Sequence, residues 1–209
     1  MSPIERPVIG RPRAFDPDQA LERALDVFWR QGYEGASLTD LTEAMGINRN
    51  SMYATFGNKE DVFRLALARY TKGPAGYVEQ ALKQPTARAV AEHVLRGAVQ
   101  ATTTPGGPAG CLGVQGALAT GAPGQAAREA LIEWRSEGEG TIRERFVRAQ
   151  AEGDLPPEAD PATLARYIAT LAYGIAVQAA SGIPREALCQ LIDTALAGWP
   201  TRGTTLPPV

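Results

Sequence analysis

Residues 37–59 read "SLTDLTEAMGINRNSMYATFGNK", two short runs of helical length that are separated and followed by a glycine. Ser37 and Asn48 precede the two runs, and both residue types cap helix N-termini by accepting a backbone hydrogen bond. Gly46 between the runs can adopt the positive φ of a tight turn. The second run is mostly polar, and helices this short are marginal alone, so neighbouring helices must hold it. The stretch predicts two short helices joined by a glycine turn.

Helix signals surround this stretch on both sides. Upstream, Asp16 is a candidate N-cap, Pro17 suits the first helical position, and Gln19 completes a capping box. The apolar residues of that helix recur at helical spacing until Gly32 ends the run. Downstream, Asn58 caps a fourth helix through "KEDVFRLALARY". Together these elements predict a helix-turn-helix module that is braced by a helix before it and a helix after it.

The chain after Gly73 changes to longer, alanine-rich helices that are broken by glycine and proline. Helices are predicted over about residues 86–102 and 124–151, with a short helix in "VQGALATGAP" between them. Two late helices carry apolar stripes at i, i+3, i+4 and i+7 spacing. The stripes consist of Leu164, Tyr167, Ile168, Leu171, Ala172 and Ile175, and of Leu188, Leu191, Ile192, Ala195, Leu196 and Trp199. Strand-like alternation is absent from the sequence, so we predict an all-α fold.

The composition restricts the classes of protein to which the chain can belong. Of its 209 residues 44% are hydrophobic, which is enough to form a sizeable core. The net charge of −2 means that any binding of nucleic acid must come from local placement of cations. The chain has two cysteines and no signal-peptide pattern, and no apolar run approaches the roughly 18 residues of a membrane span. These features predict a cytoplasmic protein that does not enter a membrane.

The polar residues of the second short helix meet the requirements of direct DNA readout. In a helix-turn-helix module this helix enters the major groove with its N-terminal residues at the base edges. Arg49, Asn50 and Ser51 supply donors and acceptors there, and guanidinium and amide groups suit guanine and adenine. Nearby hydroxyls and cations are candidates for contacts with phosphates or, from the arm, with a minor groove. These further candidates are Ser37, Thr39, Tyr53, Thr55, Lys59 and, on a basic N-terminal arm, Arg11 and Arg13.

The stretch "GRPRAFDPDQALERALDVFWRQGYEGASLTDLTEAMGINRNSMYATFGNKEDVF" resembles the DNA-binding domain of the TetR family of bacterial transcriptional regulators. The family pattern is a helix that ends in GY, followed by T/S-hydrophobic-x-x-hydrophobic, G-hydrophobic-S and L-Y-x-x-F-x-x-K-E. Met52 stands where leucine is usual, Asn48 where serine is usual, and Thr55 where many members have histidine. The match covers about residues 11–65. The rest of the chain resembles the second domain of the family through its helix pattern.

This resemblance implies an architecture and a function. It implies a flexible basic arm at residues 1–15, a helix-turn-helix DNA-binding domain with a linking fourth helix at 16–72, a helical effector-binding and dimerisation domain at 73–200, and a flexible tail at 201–209. The implied protein is a homodimer joined through its last two long helices, and it binds an inverted-repeat double-stranded DNA operator. A small-molecule effector moves the fourth helix and releases the operator, and repression is the commoner habit of the family. The late helices carry small faces besides their apolar stripes, so one face can meet the core and the other a partner; the small residues are Ala165, Ala169, Ala176 and Ala179.

The sequence contains no polar motif that identifies the chemical class of the expected effector. Ligand sites are mostly apolar and aromatic, and our candidate lining residues are His93, Cys111, Gln115, Trp134 and Tyr173. Aromatic residues at helical spacing also form ordinary core, and a single histidine can lie on a helix surface. Cys111 follows a Gly-Pro break and supports an alternative function, a regulator that senses oxidants or electrophiles through a thiolate. The plainer interpretation of Cys111 is a small buried hydrophobe.

Enzymatic functions lack the residues that they need in this sequence. One histidine and two isolated cysteines do not supply a zinc site with the usual ligand spacing. A nucleophile elbow, a phosphate loop and a dinucleotide fingerprint are all missing from the sequence. We therefore expect no catalytic residue, no metal and no cofactor. A helical adaptor that binds only protein is a further alternative, but it leaves the basic arm and the polar helix without a role.

Overall fold

The computed structural model describes residues 15–115 and 124–201, with only the backbone of Gln115 included. Over these residues the chain is helical and forms no strand, which confirms the all-α prediction. The helices are α1 (Pro17–Gly35), α2 (Leu38–Met45), α3 (Arg49–Phe56), α4 (Lys59–Lys72), α5 (Tyr77–Ala81), α6 (Ala87–Thr102), α7 (Leu112–Gln115), α8 (Gln125–Ala151), α9 (Pro161–Ala180) and α10 (Arg185–Ala197).

The helix-turn-helix unit begins both of its helices with side-chain caps. At α2 the Ser37 hydroxyl accepts from the Asp40 amide at 3.0 Å, and the Asp40 carboxylate accepts from the Ser37 amide at 2.8 Å. At α3 the Asn48 side chain accepts from the Ser51 amide at 2.8 Å. Gly46 ends α2 in the left-handed conformation, with φ 69° and ψ 31°. These bonds satisfy amides that have no partner within the helix and confirm the predicted caps and turn.

The start and the end of α1 differ from the prediction in detail. The Asp16 carboxylate accepts from the amides of Asp18 and Gln19, so the N-cap is confirmed. The Gln19 side chain makes no return bond to Asp16 within the described residues, so the capping box is only half formed. Gly32 does not end α1 but kinks it, because its φ of 71° and ψ of 174° are not helical and the helix continues beyond it.

A first hydrophobic cluster, here called the N-terminal core, lies between α1, α2, α3 and α4. The rings of Phe28 and Phe63 meet edge to face with their centroids 5.1 Å apart, and Tyr33 lies 5.2 Å from Phe63. Met52 of α3 is fully buried in this cluster. Burying such a side chain contributes about 1.5–3 kcal/mol, and this burial is what holds a helix that is too short to be stable alone.

The N-terminal core extends past the predicted domain boundary at residues 72 and 73. Cys111 and Leu131 belong to the same cluster as the apolar residues of the first four helices. In addition, the indole N–H of Trp29 on α1 donates to the Gly110 carbonyl at 3.0 Å. The start of α7 and the first half of α8 therefore pack directly on the N-terminal core, and the division of the chain into domains stays a prediction.

A second cluster, the C-terminal core, is built from α5, α6, α8, α9 and α10. The sequence did not predict α5, because this helix has five residues and no side-chain cap at Gly76. Tertiary packing holds it instead. Gly97 of α6 lies directly under the Tyr77 ring, where an added Cβ would overlap the ring. Gly97 therefore permits the close approach of α5 and α6.

The small face of α9 meets the core of this chain. α9 packs against α6 and α8, and the alanines of its small face are buried, so of the two arrangements that the sequence left open the structure has the small face in the core. The buried residues are Ala165, Ala169, Ala176 and Ala179. They lie on the same side of a 3.6-residue period as Ile168 and Ile175, and both isoleucines face the core. The side of α9 opposite these alanines is exposed and includes Thr163, Tyr167, Thr170, Gly174 and Val177.

Three stretches lie outside the described residues: 1–14, 116–123 and 202–209. Arg11 and Arg13 of the predicted arm fall in the first of them. Most of the short helix predicted in "VQGALATGAP" falls in the second, although its first two residues end α7. Among the described helices, none combines the length and the apolar character needed to cross a bilayer.

Candidate nucleic-acid interface and effector cavity

α3 presents one buried side and one polar side. Met52 and Phe56, four residues apart, point into the N-terminal core. Asn50 and Ala54 lie on the opposite side of the helical period and are exposed, and Tyr53 beside them is 47% exposed. The side of α3 that faces solvent therefore carries an amide and a phenol, two groups that can hydrogen-bond to bases or phosphates.

The Arg49 side chain is held by the neighbouring helix α2. Its Nη2 atom donates to the Thr39 hydroxyl at 3.1 Å, and both side chains are exposed. Ser37, also exposed, uses its hydroxyl to cap α2 and so fixes the first turn that carries Thr39. A guanidinium has five N–H donors. The bond to Thr39 therefore orients Arg49, and within the described residues the other donors are left for an incoming acceptor.

Lys59 in the first turn of α4 is held over an aromatic ring. Its Nζ atom lies 4.4 Å from the centroid of the Tyr33 ring, a cation–π contact. Partial burial lowers the pKa of Lys59, and the carboxylates of Glu34 and Asp40 oppose that shift. Tyr33 was not among the predicted site residues. Its signal in the sequence was the GY pair at the end of the first helix.

The remaining predicted DNA-binding residues lie on or beside α3. Thr55 is exposed near the end of the helix. Ser51 is half-buried, and its backbone amide is engaged by the cap. Of the described candidates of α2, α3 and α4, all are exposed except Ser51 and Lys59, which are half-buried, and Arg49 of α3 contacts Thr39 of α2. Arg11 and Arg13 lie outside the described residues.

Cys111, the candidate sensor thiol, is buried where the two cores meet. The Tyr70 hydroxyl of α4 donates to the Cys111 sulfur at 3.1 Å. Burial raises the pKa of the Cys111 thiol, although bonds from Tyr70 and from the backbone of Gly113 and Val114 act in the opposite direction. A raised pKa disfavours the thiolate, which is the reactive form. The environment of Cys111 does not favour the redox alternative.

The other predicted effector residues are dispersed. The Trp134 indole of α8 donates to the Thr71 hydroxyl of α4 at 2.8 Å, so it bridges two helices. His93 is half-buried on α6. The side chain of Gln115 is not among the parts of the chain that the structure describes. Of the five predicted lining residues, Tyr173 is the one whose described side chain lines the cavity between α7, α8 and α9.

That cavity has a volume of about 550 Å³. Arg135 donates from Nη1 to the Gly113 carbonyl at 2.6 Å, and Arg166 of α9 pairs with Glu139 of α8 at 3.0 Å. Its walls include Val114, Arg135, Glu139, Arg143, Arg166 and Tyr173. The cavity is therefore lined by charged side chains that the candidates predicted from the sequence did not include.

Sequence reasoning missed the charged residues of this cavity. The stretch "EWRSEGEG" was interpreted as a solvated helix face because its carboxylates are interspersed with arginine. The missed signal is the spacing of Arg135, Glu139 and Arg143, which repeats every four residues and puts the three side chains on one side of α8. The spacing alone, however, does not tell whether that side faces bulk water or a cavity.

The fold and these sites define a helix-turn-helix protein in which a DNA-reading unit is joined to a helical domain with a ligand-sized cavity. A family profile described as "Bacterial regulatory proteins, tetR family" matches residues 20–66. A second profile, "Tetracyclin repressor-like, C-terminal domain", matches residues 85–186. The chain belongs to the TetR family of bacterial regulatory proteins, as its sequence resemblance predicted.

Individual relatives match along most of the chain. The HTH-type transcriptional repressor ComR of Escherichia coli K12 is 32% identical over 193 residues, which cover 91% of this chain and 92% of ComR. The repressor BdcR of the same organism is 30% identical over 193 residues, with 91% of each chain covered. Among solved structures, the TetR family regulator CifR is 46% identical with a TM-score of 0.86, over 91% of this chain and 100% of CifR. That structure contains a cysteine-substituted CifR in complex with 26-bp double-strand operator DNA.

Proposed function

We propose that this chain is a ligand-responsive transcriptional repressor that binds an inverted-repeat operator as a homodimer and is released by a small molecule. The observation that carries the DNA-binding role is the exposed polar side of α3, with Arg49 oriented by α2 and Lys59 held by the Tyr33 ring. Family membership and the operator complex of CifR support the same role. Chromosomal DNA is the proposed partner, so the proposed place of action is the bacterial cytoplasm.

In this proposal α3 enters the major groove and its residues divide into two groups. Arg49 and Asn50 read base edges, with the guanidinium suited to guanine and the amide to adenine. Ser51, at the same end of the helix, is a further candidate for contact with a base edge. The remaining groups position the protein on phosphates without reading sequence. They are Ser37, Thr39, Tyr53, Thr55, Lys59, and Arg11 and Arg13 on the arm.

The proposed dimer joins two chains through α9 and α10. The exposed side of α9 carries Tyr167 and Val177, which are 41% and 51% exposed, and α10 adds Leu191 at 40%. Apolar groups of this size on neighbouring helices suit an interface between copies of the chain. One dimer would then reach two half-sites about one helical turn, ~34–36 Å, apart.

The proposed effector switch acts through α4, which begins next to α3 and ends against Cys111 and the helix α8. Its 14 residues span about 20 Å as a single helix. Lys59 lies at its first turn, and Tyr70 and Thr71 near its end bond to Cys111 and Trp134. A ligand that prefers a shifted position of α7 or α8 must therefore shift α4 as well. By linkage, such a ligand weakens DNA binding by the factor by which DNA weakens ligand binding.

The DNA-binding role is tested with the DNA upstream of the gene itself. The full-length protein should shift a labelled upstream fragment in an electrophoretic assay, and unlabelled upstream DNA should compete better than a scrambled fragment of equal length. Affinity should fall steeply with salt, because phosphate contacts release counterions. Equal competition by both fragments would show that the chain lacks a specific operator there and would contradict the proposal.

The effector role is tested by measuring operator affinity with and without substrates of the enzymes or transporters encoded beside the gene. A coupling of about 1–3 kcal/mol, or roughly 5–150-fold in affinity, is the usual range. If none of these compounds changes operator affinity, ligand sensing is withdrawn and the DNA-binding proposal stands alone.

A further inference from the structure

The cavity between α7, α8 and α9 is lined by an excess of positive charge. Arg135, Arg143 and Arg166 line it, and Glu139 is the one carboxylate among its described lining residues. We propose that the effector of this protein is a small organic anion, a carboxylate, sulfonate or phosphate ester joined to an apolar group, and that these arginines bind it. This inference deepens the proposed effector role and rests on it.

The charges of the cavity are only partly compensated within the protein. Glu139 pairs with Arg166 at 3.0 Å. Arg135 bonds to the Gly113 carbonyl, which carries no net charge. Within the part of the chain that the structure describes, neither Arg135 nor Arg143 forms an ion pair. Two guanidiniums therefore face the cavity without a carboxylate, and guanidinium is the side-chain group best suited to bind carboxylate or phosphate through two parallel bonds.

Several exposed arginines of α6 and α8 pair with a carboxylate, although Arg128 of α8 is also exposed and forms no ion pair within the described residues. On α6, Arg88 and Arg96 both pair with Glu92. On α8, Arg148 pairs with Glu152 one turn further along. Arg143 could pair in the same way with Glu139 one turn earlier, but Arg166 of α9 takes that carboxylate. The packing of α9 on α8 thus leaves Arg143 without an ion pair among the residues that the structure describes.

The rest of the cavity suits the apolar part of such a ligand. Val114 and Tyr173 are half-buried in its wall. Burial raises the pKa of Tyr173 to about 12. The phenol therefore stays protonated at neutral pH and can donate to an anion. The volume of about 550 Å³ lies within the range of roughly 300–1,000 Å³ found for small-molecule sites.

The site is also connected to the helix that carries Lys59. An anion that pairs with Arg135 binds the same guanidinium that holds the Gly113 carbonyl. Gly113 lies directly under the Trp134 ring, where an added Cβ would overlap it, and Trp134 bonds to Thr71 of α4. Binding of an anion therefore acts on α7 and α8 at the point where both contact α4.

The test uses the fluorescent anion anilinonaphthalene sulfonate as probe and its neutral parent phenylnaphthylamine as comparison. We expect the full-length protein to bind the sulfonate, and Arg143→Gln to weaken that binding about tenfold, the low end for a charge-assisted bond because Arg143 is exposed. Arg166→Gln, an independent variant on α9, should weaken it too, since it also frees the Glu139 carboxylate. Binding of the neutral parent should not change in either variant.

Arg148→Gln is the matched control, because it removes a guanidinium from the same helix on another side. It should leave sulfonate affinity unchanged within about twofold. If Arg143→Gln and Arg166→Gln both bind the sulfonate as tightly as Arg148→Gln does, or if the neutral parent binds as tightly as the sulfonate, the anion site is overturned.

A mobility-shift assay on the upstream DNA separates this inference from the proposed function. A saturating concentration of the sulfonate should weaken DNA binding by the unaltered protein and not by Arg143→Gln. If neither the unaltered protein nor any variant binds DNA, but sulfonate binding still depends on the arginines, the proposed regulatory function is wrong and the anion site stands. Normal DNA binding that the bound sulfonate does not change overturns the assignment of this cavity to the effector.

Discussion

At the scale of single residues, Asn50 lies near the centre of the exposed side of α3. The Asn50 amide can bond to an adenine edge through both its oxygen and its NH2 group. Asn50→Ala should therefore weaken the free energy of operator binding by about 1–3 kcal/mol. The loss should fall on particular base pairs and be small on non-specific DNA. Titration of the operator and of single-base variants measures this, with Gln100→Ala on α6 as the control. Unchanged affinity and preference would remove Asn50 from the reading surface.

Lys59 has a different expected signature, because a phosphate contact carries no sequence information. Lys59→Ala should weaken binding to all DNA sequences and reduce the slope of log affinity against log salt by about one. Lys83→Ala removes an exposed ammonium that already pairs with Glu79 and should leave the slope unchanged. A sequence-dependent loss without a change in slope would contradict the phosphate role of Lys59.

The raised pKa of Cys111 predicts a thiol that reacts slowly with electrophiles. In a Cys189→Ser protein, which leaves Cys111 as the single cysteine, iodoacetamide at mildly alkaline pH should react at least about tenfold more slowly with the native than with the urea-unfolded chain. Burial and the Tyr70 bond both shield the sulfur. Mass spectrometry over time gives both rates. Equal rates would bring back the thiol-sensing alternative.

At the scale of the elements, the junction of α3 and α4 depends on Gly57. Its φ of 84° and ψ of −152° lie in a region that is essentially restricted to glycine, and an added Cβ would overlap the Asp61 carboxylate. That carboxylate accepts from the Asn58 amide at 2.9 Å and completes the cap of α4. Gly57→Ala should therefore destabilise the protein by about 1–3 kcal/mol in urea unfolding.

Gly138→Ala is the matched control for this prediction. Gly138 lies within α8, and an added Cβ meets no atom within 4 Å. Alanine there restricts the unfolded chain without strain in the helix, so stability should rise by about 0.4–1 kcal/mol. Shifts of the same sign in both variants would mean that the strain at Gly57 does not determine the junction.

At the scale of the whole molecule, the exposed side of α9 decides how two chains would meet. Val177 is 51% exposed, whereas the neighbouring Ala176 is 2% exposed and faces the core. Val177→Asp should leave the fold intact but place a charge in the proposed interface, where an unpaired charge is costly. Sedimentation velocity should therefore show a shift from dimer to monomer at equal concentration, together with loss of operator binding.

Val147→Asp is the control, because Val147 on α8 is 52% exposed and lies outside the proposed interface. It should remain dimeric and bind DNA as the unaltered protein does. A Val177→Asp protein that stays dimeric would move the interface to another surface, and a stable monomer that binds the operator specifically would remove the dimer from the mechanism.

The sequence by itself determined the helix-turn-helix unit of this protein. The caps at Ser37, Asn48 and Asn58 and the turn at Gly46 involve atoms no more than a few residues apart. Such interactions depend on local backbone geometry and residue type, both of which are visible in a short stretch. For the same reason the two short helices and the polar side of the second could be predicted without knowledge of the rest of the chain.

Only the tertiary structure decided which helix faces meet and what lies between them. The alanines of α9 carry a periodicity that fits either a core or a partner, and the packing of α6 and α8 on α9 selected the core. Likewise, Arg143 faces the cavity without a counter-charge from the described residues, because Arg166, 23 positions further along the chain, takes Glu139. Periodicity specifies that a helix has two sides, but the free energy of burying each side depends on the helices that pack against it, and these come from distant parts of the sequence.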